Sequence, residues 1–382
     1  MPYEVKKAYL DAIRERYQKS TKSMKTLILD EFAAVCGYER KYAIRILNNQ
    51  IQPRKKKPGP VSKYEQIVDH IYELWNLMNR ICSKKMTVAI PLWLPFYKNV
   101  TDSELKLLKS ISPSTIDRLL KPYRENKVRG LSTTVPMLKS KIPIKLLDAE
   151  VTEPGFIESD TVAHCGTSIE GDYANSITMT DLYSGWTENR AVWKKHATTV
   201  QKQIQKIEYD VPFLLKGFAS DNGNEFLNDE LYKYFTERLY PVEFVRRRPY
   251  KKNDNAHVEQ KNFTHVRELF GYVRVENSEL VSLMNEIYQV YWNPLWNYFT
   301  PVMKLKKKTR IGSKIKKEYD DPKTPYQRLL DSDKFTMYNK KKLKQNMAMK
   351  NPFFLKQELD KKLKLFFQLT DQYSKSRKQT GS

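Results

Sequence analysis

The sequence predicts a multidomain α+β protein: helical units first, then a five-stranded mixed sheet flanked by helices, then a small basic C-terminal module with helices. Three observations carry this. The chain has 382 residues, more than one domain ordinarily holds. Its apolar residues follow a helical period up to about residue 124 and a strand period from about residue 153. From there the elements run β-β-β-α-β-α-β-α, the order of a mixed sheet with helices on its faces. The boundaries read as 1–52 for a first helix-turn-helix unit, 53–62 for a linker, 63–138 for a second helical unit, 150–275 for the core and 290–382 for the basic C-terminal region.

Composition narrows the function classes. With 40% hydrophobic and 12% aromatic residues the chain can build cores, which excludes a disordered protein. A formal net charge of +24 repels itself until a polyanion neutralises it, so nucleic acid is the leading partner. An anionic membrane surface is the weaker option, because no long basic amphipathic helix stands out. Cys36, Cys82 and Cys165 are scattered with no CxxC pair, which argues against a disulfide framework or zinc knuckle and fits a reducing cytoplasm. The first thirty residues lack an apolar signal core and no run of eighteen apolar residues occurs. The expectation is a soluble intracellular protein with no membrane association.

Residues 21–50 read as two helices around a turn at Gly37. Leu27, Ile28, Phe32 and Val35 give the first an apolar face. The second holds Tyr42, Ile44, Ile46 and Leu47 beside Arg40, Lys41 and Arg45. This suits a helix-turn-helix whose second helix enters the major groove, and a plain helical hairpin equally. In the linker, Arg54, Lys55, Lys56 and Lys57 stand among Pro53, Pro58, Gly59 and Pro60; they either track DNA phosphates or form a solvated spacer. Ile67, Ile71, Leu74 and Met78 follow a helical period. Leu105, Leu107 and Leu108 precede a break at Ser110–Ser112, and Pro113 then opens a short helix. There Ile116, Leu119 and Leu120 face inward and Ser114, Thr115 and Arg118 are free for a groove.

The core strands are expected at Phe156–Val162, Ser176–Tyr183, Thr187–Trp193, Leu214–Ser220 and Val242–Arg246, with a turn at Ser184-Gly185. Helices are expected near 196–208 and 228–239, and from about Asn255 to Gly271. Residues 304–317 hold eight cations and no acid: Lys304, Lys306, Lys307, Lys308, Arg310, Lys314, Lys316 and Lys317. They suit a small β module against phosphates, or a solvated basic loop. Residues 325–370 read as basic helices.

Against this basic background, three acids occupy unusual settings. Asp160 lies inside the apolar strand Phe156-Ile157-Glu158-Ser159-Asp160-Thr161-Val162. Asp221 follows another apolar strand and opens Asp221-Asn222-Gly223-Asn224-Glu225-Phe226. Glu259 lies on the helix Val258-Glu259-Gln260-Lys261-Asn262. A carboxylate in a sheet is costly unless paired or metal-bound. Two from strands and one from a helix could hold hard divalent cations through oxygen. Taken singly, each has a plainer reading as a cap, a turn or a solvated residue.

Together these motifs resemble the catalytic core of retroviral integrases and the bacterial insertion-sequence transposases related to them, over about Glu153–Arg274. In that family the first Asp is mid-strand, the second opens Asp-Asn-Gly-x-x-Phe, and the Glu follows a Pro-Tyr loop and precedes an Asn by three residues. The matching positions here are Asp160, Asp221–Phe226, Pro249-Tyr250, Glu259 and Asn262. The resemblance implies a ribonuclease H-like fold and a DDE transposase or integrase. In such an enzyme Asp160, Asp221 and Glu259 bind two Mg2+ (or Mn2+) ions: Asp160 bridges both, and the other two each complete one site. It implies DNA cleavage followed by attack of the freed 3′-hydroxyl on target DNA, with no covalent enzyme intermediate. Partners would be element ends and target DNA, with a homodimer or higher oligomer assembling on them in the bacterial cytoplasm and nucleoid.

Asn222 and Asn262 are candidates to orient the metal ligands. Tyr250, Lys251, Lys252, Lys261 and Arg267 are candidates to touch DNA, as are Lys306, Lys307, Lys308 and Arg310. Asp181 and Glu225 are read as structural acids, and His257 as pointing away from Glu259. The sequence departs from retroviral integrases in two respects. It lacks a His-His-Cys-Cys cluster, so no zinc is expected, and Phe263 and Val266 stand where those enzymes carry lysines. Both departures favour the transposase branch. Two alternatives share the same residues: a ribonuclease H-like nuclease that only cuts, and a DNA-binding regulator descended from a transposase.

Overall fold

The change of period near residue 153 marks a change of architecture. The computed structural model describes residues 2–48, 62–124, 151–220, 223, 225–246, 260–311 and 314–380; for Arg246, Lys308, Lys314 and 376–380 it describes the backbone alone. The chain divides into two compact units, Met1–Ser62 and Lys63–Ser382.

In the first unit, α1 (Tyr3–Lys19), α2 (Lys22–Cys36) and α3 (Arg40–Asn48) surround a core of Leu10, Tyr17, Ile28, Leu29, Phe32, Cys36, Ala43, Ile46 and Leu47. Gly37 ends α2 at φ 64°, a left-handed conformation that costs glycine little. The apolar faces are rotated from those expected. Leu27, Val35 and Tyr42 are exposed, and Leu29, Cys36 and Ala43 are buried in their stead. The reason is α1, which sequence reasoning left unassigned: its Leu10 and Tyr17 select the covered side.

The second unit opens with α4 (Val68–Leu77), α5 (Ser83–Trp93), α6 (Asp102–Ser110) and α7 (Pro113–Leu120). Ile67, Ile71, Leu74 and Met78 are buried together, as their spacing requires. Ser112 caps α7 by accepting from Thr115 N at 3.2 Å, with Pro113 in the first turn. Ile116 and Leu120 are buried and Leu119 is half-buried. These helices share one continuous apolar core with the sheet that follows.

That sheet comprises β1 (Phe156–Ala163), β2 (Ala174–Asp181), β3 (Thr187–Trp193), β4 (Gly217–Ser220) and β5 (Glu243–Arg246) in the order β3-β2-β1-β4-β5. β2 is antiparallel to β1 and β3, while β1, β4 and β5 are parallel. Helices α8 (Ala197–Asp210) and α9 (Asp229–Thr236) make the crossovers. This is the ribonuclease H-like arrangement that the motifs implied. Several strand limits differ from expectation, most of all those of β2 and β4. β2 stops at Asp181 because its carboxylate is used in the turn, accepting from Gly155 N at 2.9 Å and Ser184 N at 2.7 Å. β4 starts at Gly217, which pairs with Phe156 and lies so close to its ring that a Cβ would sit 2.5 Å away; Leu214 is exposed.

A helical run over 260–270 follows, then another over 280–299 that sequence reasoning did not assign. The second covers the outer edge of β3, whose free backbone groups would otherwise invite pairing. Asn297 accepts from Thr187 N at 2.9 Å and donates to Thr187 O at 2.9 Å. Further along the same edge, Asn285 does the same for Ala191 N (2.8 Å) and O (2.9 Å). Two side-chain amides thus act as a missing sixth strand. Asn297→Ala would strand a buried donor and acceptor, and we expect a loss of about 2–4 kcal/mol in chemical denaturation. A loss under about 0.5 kcal/mol would show that the edge needs no such cover.

The C-terminal region holds the hairpin β6 (Leu305–Ile311) and β7 (Lys314–Tyr319), then helices Pro325–Asp331, Met337–Ala348 and Pro352–Thr380. The last is a strut of roughly 44 Å. Its Phe353 stacks on Tyr97 and its Phe366 packs at 4.8 Å on Phe270, joining the early helices to the core. Among the described residues, no helix is long and apolar enough to cross a membrane.

Candidate active site

Along β1 the side chains alternate, so Glu158 and Asp160 share one face. The described parallel pairing with β4 reaches Ser159↔Ser220, and pairing with β2 continues past Asp160↔Thr178 to Ala163. Asp160 follows directly on that pair, towards the carboxyl end of β1, and ligand crevices in open α/β sheets lie outside the carboxyl ends of strands. It is half-buried, and Glu158 behind it is fully buried.

Two donors hold the Asp160 carboxylate. Thr161 N donates to Oδ1 at 2.8 Å, and Asn262 Nδ2 donates to Oδ2 at 2.6 Å. Asn262 opens a π-helical segment, Asn262–Arg267, inside the 260–270 run. Such a segment widens the helical turn and often accompanies a functional site. A second tie comes from His265, whose Nδ1 lies 3.0 Å from Asn189 Oδ1, and Asn189 in turn donates to Thr178, the residue opposite Asp160. Burial pushes His265 well below the usual imidazole range, with Lys261 acting in the same direction, so the ring is a neutral spacer.

Glu225 closes another side. It is buried, accepts from Thr161 Oγ1 at 2.8 Å and pairs with Lys195 at 3.2 Å. Gly223 makes room for it: a Cβ there would lie 2.6 Å from Glu225 Oε2. The Gly of Asp-Asn-Gly thus has a packing reason. Sequence reasoning missed Thr161 and Lys195 as companions of the site. Nothing in the spacing reveals them, because they meet only through Glu225, some sixty positions after Thr161.

The other expected residues are distributed as follows. Asp221, Asn222, Tyr250, Lys251, Lys252, His257 and Glu259, with Arg54, Lys55, Lys56 and Lys57, lie outside the described residues, as does the side chain of Lys308. Lys261 is a correction to the expected DNA contacts. The residue is half-buried, but its amine turns inward over the Trp296 ring at 4.7 Å, with no hydrogen-bond acceptor among the described residues. Burial, then Lys85, holds it well below the usual lysine range. Arg267 donates to Ala163 O at 3.1 Å and lies over Tyr272. Arg40, Lys41 and Arg45 are on α3, with Arg40 paired to Asp30 at 2.8 Å. Ser114 and Arg118 are on α7, while the Thr115 hydroxyl bonds Ser112 at 3.0 Å. Lys306, Lys307 and Arg310 are on the hairpin.

Asp160 offers the hard oxygen donor that a divalent ion takes. Among the described residues no group of three His, Cys, Asp or Glu is placed to hold a metal; two of the three expected ligands lie outside them.

No family model matches the chain. A protein of Sinorhizobium fredii (strain NBRC 101917 / NGR234), the uncharacterized protein y4rM, is 34% identical over 337 residues, which span 84% of this chain and 93% of that protein. This chain belongs to the y4rM family. Solved structures similar to this y4rM-family chain include a chain of the simian T-cell lymphotropic virus intasome in complex with the PP2A regulatory subunit B56 gamma, at 14% identity and TM-score 0.27. That match covers 47% of this chain and 59% of the viral one. The HTLV-2 integrase catalytic core domain in complex with magnesium, in its dimeric form, matches at 16% identity and TM-score 0.28, over 39% of this chain and 89% of that one. The catalytic core domain of BIV integrase matches at 17% identity and TM-score 0.26, over 45% and 91%. Strand order and direction, rather than these scores, assign the fold of the y4rM-family core.

Proposed function

We propose that this chain is a DDE transposase or integrase that binds the ends of a mobile DNA element, cleaves them, and joins the freed 3′-hydroxyl to target DNA. The observation that carries the reading is the convergence of the three motifs at their described residues. Asn262, three positions after Glu259, donates to Asp160 at 2.6 Å. Ser220, immediately before Asp221, pairs with Ser159, immediately before Asp160. A turn motif and a helix motif with no shared task have no reason to set these neighbours beside one strand end.

In this reading Asp160, Asp221 and Glu259 hold two Mg2+ or Mn2+ ions, which would activate the attacking water or 3′-hydroxyl and offset charge on the leaving oxygen. The chain's own contribution is positional. Thr161 N and Asn262 fix the rotamer of the Asp160 carboxylate, and Asn262 is itself carried by a helix tied to Asn189. Orientation of that kind commonly changes metal affinity or activity by about 10–100-fold. Glu225, neutralised by Lys195, supports the strand end without competing for the site. The excess of cations, +24 overall, supplies phosphate binding, with α3 and α7 as groove-reading helices and a homodimer or higher oligomer on DNA.

The test is to incubate the full chain with plasmid, a divalent ion and a pre-nicked duplex carrying the element's own terminus. We expect covalently joined products. Cleavage without joining would assign a nuclease, and binding without either reaction would assign a regulator.

A further inference from the structure

β6 and β7 form a sheet of two strands and no more among the described residues. Every described side chain of the hairpin except half-buried Thr309 is exposed, including Ile311 at 63% and Ile315 at 52%. Two strands alone are marginal in water, and the register sets Lys308 opposite Lys317, with the opposite-charge pair Lys307 and Glu318 beside it. Like charges across a ladder oppose its formation.

The root of the hairpin, by contrast, is firmly held. Asp320 accepts from Lys304 N at 2.5 Å and pairs with Arg328 at 2.7 Å, and Arg328 also donates to Val302 O at 3.1 Å. Val302 bridges to Lys323, and the Lys304 amine donates to Tyr183 O at the β2–β3 turn. A blade that is unstable by itself is thus mounted on a fixed base.

We propose that this ribbon inserts into the major groove of double-stranded DNA. The inference rests on the reading of the chain as a DNA-acting protein and adds a contact to it. Alternation along the regular ladder puts Lys307 and Arg310, and likewise Lys316 and Lys317, on opposite faces. A flat anionic surface can meet only one of those faces, whereas a groove has a phosphate wall on each side. The major groove of B-form DNA, about 12 Å wide, admits a two-stranded ribbon as it stands, whereas the minor groove, about 6 Å, must first be widened and the duplex bent, at a cost in deformation energy. The narrow major groove of A-form RNA excludes it. Exposed Ile311 and Ile315, near the turn, are the apolar groups that contact thymine methyls on a groove floor. The same groove offers phosphates to offset the repulsion along the ladder.

The experiment compares the full chain with a variant carrying Lys306→Gln, Lys307→Gln, Arg310→Gln, Lys316→Gln and Lys317→Gln. Binding to a duplex of about three helical turns is measured against salt. An unchanged thermal unfolding transition confirms that the remainder of the variant is folded. We expect the slope of log affinity against log salt to become shallower by about 3–4, near 0.9 for each phosphate no longer neutralised. A duplex whose cytosines carry glucosylated hydroxymethyl groups, which fill the major groove, should weaken the parent chain by about tenfold or more and the variant far less. An unchanged slope overturns the proposal, as does equal weakening of both proteins by the filled groove. The joining assay is scored separately: absent joining with a ribbon-dependent slope removes the catalytic reading and leaves the ribbon, and normal joining with an unchanged slope does the reverse.

Discussion

Asp160→Asn is expected to lower cleavage and joining by about 10^3-fold or more while leaving DNA affinity and its salt dependence unchanged. The magnitude follows from the charge removed. Several kcal/mol of transition-state stabilisation pass through ions held by such a carboxylate, and about 4 kcal/mol is a thousandfold at about 1.4 kcal/mol per factor of ten. Folding should survive, because the substitution is isosteric at a half-buried position. Thr161 N can still donate to the amide oxygen. Asn262 has an Oδ1 with no partner among the described residues, so a turn of its own amide presents an acceptor to the new NH2 group. Joining of a pre-nicked end into plasmid, measured beside fluorescence anisotropy on the same duplex, separates the two effects. Product within tenfold of the parent would remove Asp160 from the chemistry, and lost binding would make its role structural.

Arg190→Met is expected to produce the largest loss of stability. Arg190 is 1% exposed and stands between two acids, Glu188 at 3.2 Å and Asp210 at 2.5 Å, with the Gln289 amide oxygen accepting from its Nε at 2.9 Å. Glu188 is also buried; Trp186 Nε1 and Asn293 Nδ2 donate to it at 3.0 and 2.7 Å. Removing the cation leaves a buried carboxylate unpaired, a change that costs about 3–5 kcal/mol.

The loss should depend on pH, with a definite sign. Burial already raises the Glu188 carboxyl above its ordinary value, and Arg190 is the main group pulling it back. In the variant it rises further. Between the unfolded value, about 4.3, and the raised folded value, the folded state then holds more protons than the unfolded one, so stability falls as pH rises through that window. The deficit relative to the parent is complete above the folded value and shrinks towards pH values of about 4. Urea denaturation at neutral and mildly acidic pH measures it. A deficit that stays constant over that range would place the damage in packing rather than charge. Removing both partners, with Glu188→Met added to Arg190→Met, should recover much of the loss.

Several features were legible from local pattern alone. Ile67, Ile71, Leu74 and Met78 share a buried face because their period is that of a helix, and Thr187–Trp193, set off by the Ser184-Gly185 turn, is a strand as expected. Gly37 ends a helix for a reason written in its own lack of a side chain. Asp160 was conspicuous because an acid inside an apolar strand needs a partner, and Asn262 of the Glu-x-x-Asn motif is one.

Other features depended on partners remote in the chain. Leu27 and Leu29 are equally apolar, and only the position of α1 exposes one and buries the other. Residues 280–299 are rich in aromatic and amide side chains with no clean amphipathic period. Their helix is covered on most sides and sets Asn285 and Asn297 against a strand edge about a hundred residues earlier. Lys261 reads as a surface cation, yet the Trp296 ring takes its amine inside.

The sequence by itself determined the types of most elements, though not of α1 or of the 280–299 helix, together with the basic character and the three acidic motifs, because these follow from propensity, charge and short-range spacing. The tertiary structure alone decided which helix faces are covered, how the sheet edge is closed, and which side chains flank Asp160. Those outcomes depend on contacts between residues from about twenty to more than a hundred positions apart, and no local period encodes such a distance.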